Sequence, residues 1–130
     1  VRALHEELVL KRCNICGIQD PKPFYEKASI LCMTSSFESF GMVLTEGMQH
    51  GCVPIAYDSY TAVRHIIHDE NDGILVKPFE IDEYANKLAL LMDNKQLREN
   101  LSTAAIKSVK QYDAQMVMPK WMELLENVCD

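Results

Sequence analysis

No stretch of this 130-residue chain stays apolar long enough to span a membrane, and no signal-peptide pattern opens it. A strongly basic cluster is also missing. With 13 Lys and Arg against 19 Asp and Glu, the net charge of −6 argues against a nucleic-acid-binding surface, where affinity comes from cations neutralising phosphates. Five cysteines, an odd number and mostly in apolar surroundings, suit a reducing compartment and not a disulfide framework. Cys13 and Cys16 have no second Cys-x-x-Cys to complete a zinc site, and on a strand their odd spacing turns them to opposite faces. There is no internal repeat and no low-complexity linker. The chain begins at Val1, without an initiator methionine, in a segment that already reads as helix; something upstream is expected to be missing. These absences favour a cytoplasmic protein with no membrane span and no nucleic-acid partner.

What is present fits one soluble globular domain, 48% apolar and 25% charged. Residues 1–10 place Leu4, Leu8 and Leu10 near one helical face. Residues 13–18 read as a short strand, residues 23–28 as a short helix after the loop at Pro21, and residues 29–33, 53–57 and 74–76 as further strands. Four short strands alternating with helices predict an α/β fold, a parallel sheet with helices on its faces. Residues 81–92 and 95–112 carry apolar side chains at spacings of three and four, so both are helices. Residues 114–128 form a third, which starts or kinks at Pro119. Its stripe of Met118, Trp121, Met122, Leu125 and Val128 reads as core before it reads as a methionine-rich binding surface.

The chain is organised around residues 34–48. Ser29-Ile30-Leu31-Cys32-Met33 is a nearly unbroken apolar run, as in a strand buried on both faces, and it stops at Thr34-Ser35-Ser36. A helix begins near Gly41, with Gly51 suited to the position just past its end and Pro54 barring continuation. The first N–H groups of that helix have no partners inside it, so they suit a phosphate or a sugar hydroxyl, and Gly41 lets a ligand approach the backbone. Glu38 sits in the turn and Glu46 one turn into the helix, at i+4 from Met42. Two carboxylates would line one pocket, the nearer accepting from a sugar hydroxyl and the deeper holding two ribose hydroxyls. For the glutamate pair alone, a strand-turn-helix junction with merely solvated carboxylates is the plainer reading.

The surrounding string is more specific. Glu38-Ser39-Phe40-Gly41-Met42-Val43-Leu44-Thr45-Glu46, followed by Gly47-Met48-Gln49-His50-Gly51-Cys52-Val53-Pro54-Ile55, resembles the donor-site signature of the group 1 (family 4) glycosyltransferases. It has the two glutamates separated by seven residues, a turn like Gly-Phe-Gly between them, and a Gly-x-Pro-Val-like entry to the next strand. The resemblance implies a GT-B fold, with this chain a single partial domain, 1–130, from the Rossmann-like C-terminal half. It further implies that Glu38 meets the transferred sugar, that the backbone of Phe40, Gly41, Met42 and Val43 meets sugar and diphosphate, and that Glu46 meets the ribose. By the same token the parent moves a sugar from a nucleoside diphosphate to a glycan or lipid-linked acceptor, with retention and with no obligatory metal or other cofactor. The acceptor-binding N-terminal domain is then absent, the fragment alone inactive, and the intact enzyme placed at the inner face of the membrane.

Where the family has a glycine-rich turn and a proline-glutamate pair, this chain has Thr61-Ala62-Val63-Arg64-His65. Arg64 is either a cation near the phosphates or, more plainly, a surface residue. His65 and His68, beside Asp69 and Glu70, read as a solvated helix end before they read as a weak divalent site. Losing the first two strands of the usual Rossmann-like order leaves an exposed edge, which the strand at residues 13–18 is expected to cover, or through which two chains pair as a homodimer. Two other functions stay open: a non-catalytic α/β binding or regulatory module with a degenerate donor site, and a GT-B phosphorylase or epimerase. A phosphorylase would want a lysine for a pyridoxal cofactor, and no motif around Lys77, Lys87 or Lys107 asks for one.

Overall fold

Apolar runs bounded by polar turns assemble into a parallel sheet. The computed structural model, which describes residues 13–129, places β1 at Ile30–Met33, β2 at Val53–Tyr57 and β3 at Ile74–Val76, in the order β1-β2-β3. Ile30 lies opposite Val53 and Ile55 opposite Ile74, and both pairings are parallel. β2 has a neighbour on each side, which is why all of its residues are buried. Pleating divides them between two cores. Ala56 packs with Met33, Leu44, Met48, Val63 and Ile66, whereas Val53, Ile55 and Tyr57 pack with Ile74, Tyr84, Leu91 and Leu101.

The helices are α1 (Lys22–Tyr25), α2 (Met42–Gln49), α3 (Val63–Ile66), α4 (Ile81–Asp93), α5 (Lys95–Val109) and α6 (Ala114–Cys129), with a 3-10 turn at Lys110–Tyr112. Leu44 and Met48, at i and i+4, are fully buried and anchor α2 to the first core. Each such side chain contributes about 1.5–3 kcal/mol. The helix stops where the sequence suggests, with Gly51 at φ +83 after the C-cap His50. Asn94 caps α5 by accepting the Leu97 N–H at 2.9 Å, and Arg98 reaches back to the carbonyls of Leu91 and Met92 at 2.6 and 2.7 Å.

Three expectations change. Residues 13–18 are not a strand: they lie outside the described sheet and are exposed throughout, so the described sheet has three strands, not four. Gly17, at φ +70, breaks the extended backbone there, and β-propensity without a partner edge does not make a strand. That segment therefore does not cover the outer edge of β1, which bonds to β2 alone among the described residues. Next, α6 does not start at Pro119 but runs through it, which removes the first of the two alternatives for that residue. Its Met118, Trp121, Met122 and Leu125 are each more than half exposed, so among the described residues nothing buries that stripe. An apolar pattern fixes which face of a helix is apolar, and nothing in it says what covers that face. The helix expected over residues 1–10 lies outside the described residues. No helix among the described residues is long and apolar enough to cross a membrane.

Candidate functional site

The carboxyl end of β1 opens into residues 34–41, and this turn meets the loop that follows β2. Ser59 Oγ donates to the Ser35 carbonyl at 2.8 Å, tying the two loops together. Ser35 Oγ in turn donates to Glu38 Oε1 at 2.9 Å, which fixes a half-buried carboxylate at the mouth of the sheet. Phe37, Glu38, Ser59, Tyr60 and Thr61 are among the walls of a cavity of about 370 Å³ between the loops. A ligand at the carboxyl ends of parallel strands would enter here. Burial pushes the Tyr60 phenol up, and the Glu38 charge beside it adds to the effect.

Helix α2 starts from Gly41, whose φ of 93 and ψ of 49 turn the chain sharply at the N-cap. No side chain caps that start; the Leu44 N–H bonds to the Gly41 carbonyl at 2.9 Å, which leaves those of Met42 and Val43 for another acceptor. Phe40 packs edge-on against Tyr112, with ring centroids 5.4 Å apart, so its backbone and not its ring is what the turn offers a ligand. Met42 and Val43 flank the helix start with exposed side chains. The structure places Glu38, Phe40 and Gly41 in the turn and Met42 and Val43 at the start of α2. Glu46 is one helical turn away, half-buried, and is not among the walls of the Glu38 cavity.

Glu46 is instead held from α1. Tyr25, 6% exposed, donates its hydroxyl to Glu46 Oε2 at 3.1 Å. Burial, followed by that bond and the carboxylate charge, pushes the Tyr25 phenol from 10.0 up to about 12. The folded chain thus holds this proton more tightly than the unfolded one. The stability it contributes is whole below pH 10 and is lost as pH rises through about 12. In urea titrations run from about pH 9 to about pH 12, the wild-type midpoint is expected to fall more steeply than that of Tyr25→Phe; parallel curves would contradict the assignment.

Outside this region several polar groups are paired with one another. Arg64 grips Asp58 through Nε and Nη2 at 2.7 and 2.6 Å, and these bonds hold the Asp58 carboxyl below its ordinary range. Arg64 is therefore an ion-paired surface residue and not a bare cation facing the turn. His68 Nδ1 lies 2.7 Å from Oδ2 of the fully buried Asp72, whose Oδ1 also accepts the His68 N–H at 2.6 Å. His65 is exposed, and its carbonyl accepts the Tyr112 hydroxyl at 2.7 Å. Cys13 and Cys16 are exposed, and among the described residues no three His, Cys, Asp or Glu side chains converge as metal ligands would.

Sequence reasoning missed three members of the site. Ser35 was within reach, as a hydroxyl three residues before Glu38 in a polar triplet. Ser59 and Tyr25 act across chain separations of 24 and 21 residues, for which no local pattern gives a signal.

The family described as glycosyl transferases group 1 matches residues 3–108. A Campylobacter jejuni N-acetyl-D-galactosaminyltransferase, whose name specifies an undecaprenol-diphosphate-linked acceptor, is 28% identical over 111 residues, covering 85% of this chain and 31% of its own length. Sucrose-phosphate synthase from Thermosynechococcus elongatus superposes with a TM-score of 0.90 at 21% identity, over 98% of this chain and 33% of that one. Anabaena HepE, solved with UDP and glucose, gives 0.86 at 21% identity, over 97% of this chain and 36% of its own. The chain spans less than a third of the length of the curated relatives it matches. These two structures share its fold, that of the C-terminal domain of a GT-B glycosyltransferase. With the family pattern covering most of its length, the chain belongs to the group 1 glycosyl transferases.

Proposed function

We propose that the full-length protein transfers a sugar from a nucleoside diphosphate to a glycan or lipid-linked acceptor, and that this chain supplies the donor side. The observation that carries the reading is the turn itself: two glutamates flank a left-handed glycine that starts a helix with no side-chain cap, at the carboxyl end of a parallel strand. In the transfer, the bond from the anomeric carbon to the diphosphate oxygen breaks, an acceptor hydroxyl oxygen bonds to that carbon, and the hydroxyl proton passes to the departing diphosphate. Negative charge then grows on the departing diphosphate, where uncapped helix N–H groups stabilise it. Glu38, steadied by Ser35, accepts from a sugar hydroxyl and faces the positive charge that develops at the anomeric carbon. Glu46 accepts from the ribose. Retention, and a reaction that needs no cofactor besides the donor, belong to the same reading.

Two named relatives support it in kind, since one acts on a polyprenol-linked glycan and another builds amylovoran. The UDP complex of Anabaena HepE supports a nucleotide donor for this fold. Titrating the full-length protein with UDP-, GDP- and ADP-linked sugars, read by calorimetry, tests the proposal. Saturable binding of one of them, weakened by Glu46→Ala, is the expected result. No binding of any would favour a non-catalytic module that retains the turn.

A further inference from the structure

We propose that Tyr25 is a positioning residue for Glu46: its hydroxyl holds one carboxylate oxygen so that the other is presented to the ribose. The inference rests on the donor-site reading above and adds a residue to it.

Tyr25 is fixed at several points. Its N–H donates to the Pro21 carbonyl at 3.1 Å, its own carbonyl accepts from Cys52 Sγ at 3.4 Å, and its ring lies 5.7 Å from that of His50. His50 also bonds to the same residue that Tyr25 holds. Its Nδ1 is 2.9 Å from the Glu46 carbonyl, and because a carbonyl only accepts, Nδ1 carries the proton. The backbone and the side chain of Glu46 are thus both tied to one small cluster at the junction of α1 and α2.

Among the described residues the Tyr25 hydroxyl is the one group that bonds to the Glu46 carboxylate, and it does so at Oε2. Oε1 is left for a donor from outside. A free glutamate on a helix surface samples several rotamers, and a ligand that needs one of them must supply the ordering entropy itself. A buried phenol removes that requirement in advance. It also selects: Oε1 keeps two lone pairs and can accept from both ribose hydroxyls, whereas a 2′-deoxyribose supplies only one of them.

The test uses the full-length protein, calorimetry, whichever of UDP, GDP and ADP binds, and its 2′-deoxy counterpart. Tyr25→Phe keeps the buried ring and is expected to raise Kd about tenfold and to shrink the preference for ribose. In a Glu46→Ala background the same substitution should change neither, because its partner is gone. An equal loss in both backgrounds would mean that Tyr25 acts through the fold, which overturns the proposal. So would wild-type affinity and ribose preference in Tyr25→Phe, and that result would leave the donor reading standing if Glu46→Ala still weakens binding. If Tyr25→Phe does not fold, Glu46→Asp decides, since it keeps the charge but draws it away from the phenol. A loss like that of Glu46→Ala supports the anchor, and unchanged binding overturns it. A wild-type protein that binds ribose and deoxyribose forms equally, or binds none of the three nucleotides, would remove the ribose reading and this inference together.

Discussion

Gly41→Ala is expected to destabilise the chain by about 2–4 kcal/mol, from backbone strain and overpacking acting together. Gly41 holds φ 93 and ψ 49, where an L side chain is strained whatever the space around it. Space is also lacking. A Cβ on Gly41 would lie 2.5 Å from the Tyr60 hydroxyl oxygen and 3.5 Å from Leu44 Cδ1. Tyr60 cannot swing away easily, because it is buried in the first core with its hydroxyl 3.8 Å from Met33 Sδ. Relief must come from the start of α2 or from the loop after β2, and the latter borders the cavity that holds Glu38. The two costs separate in a double mutant. Tyr60→Phe in the Gly41→Ala background removes the oxygen that clashes and should recover the packing part, while the strain at the glycine remains. Urea unfolding measures both; a loss in Gly41→Ala below about 1 kcal/mol would show that the turn relaxes, and that glycine is not what sets it.

The same turn shows why part of this molecule is legible in its sequence. Everything that builds it is local: an apolar run that ends at Thr34, a glycine where the backbone turns left-handed, Leu44 and Met48 at helical spacing, and Gly51 past the helix end. Local rules reach that far and stop. Residues 13–18 looked like a strand because their composition suits one, but a strand is made by its neighbour, and none of the described strands pairs with them. The periodicity of α6 marks which face is apolar, but what covers that face depends on a surface that periodicity does not contain. The ion pair between Arg64 and Asp58, six residues earlier, likewise has no local signal. Tyr25 is the sharpest case. In sequence it is one aromatic residue in a short helix, and only the fold brings its hydroxyl to Glu46 across 21 residues.

On the proposed roles, the two glutamates should fail differently when removed. Glu38→Ala is expected to lower kcat about 100- to 1000-fold, the range seen when a group that stabilises developing charge is lost, while donor binding changes little. Glu38 lies in the turn, held by Ser35 at 2.9 Å, so its carboxylate is already in place before charge appears at the anomeric carbon. What it stabilises then exists in the transition state and scarcely in the bound donor. Glu46 sits differently, one helical turn further on and outside the walls of the Glu38 cavity. A ribose that it holds does not react, so its contact is equally strong before and during transfer. Removing a uniform contact of that kind raises Kd and KM, by about 10- to 100-fold for a charge-assisted pair, and leaves kcat nearly unchanged. Initial-rate kinetics on the two full-length variants, with donor binding measured separately, distinguish the cases. If both variants lose little, the pair reverts to two solvated carboxylates beside a turn; if both lose kcat alone, Glu46 belongs with the reacting sugar and the ribose contact must come from elsewhere.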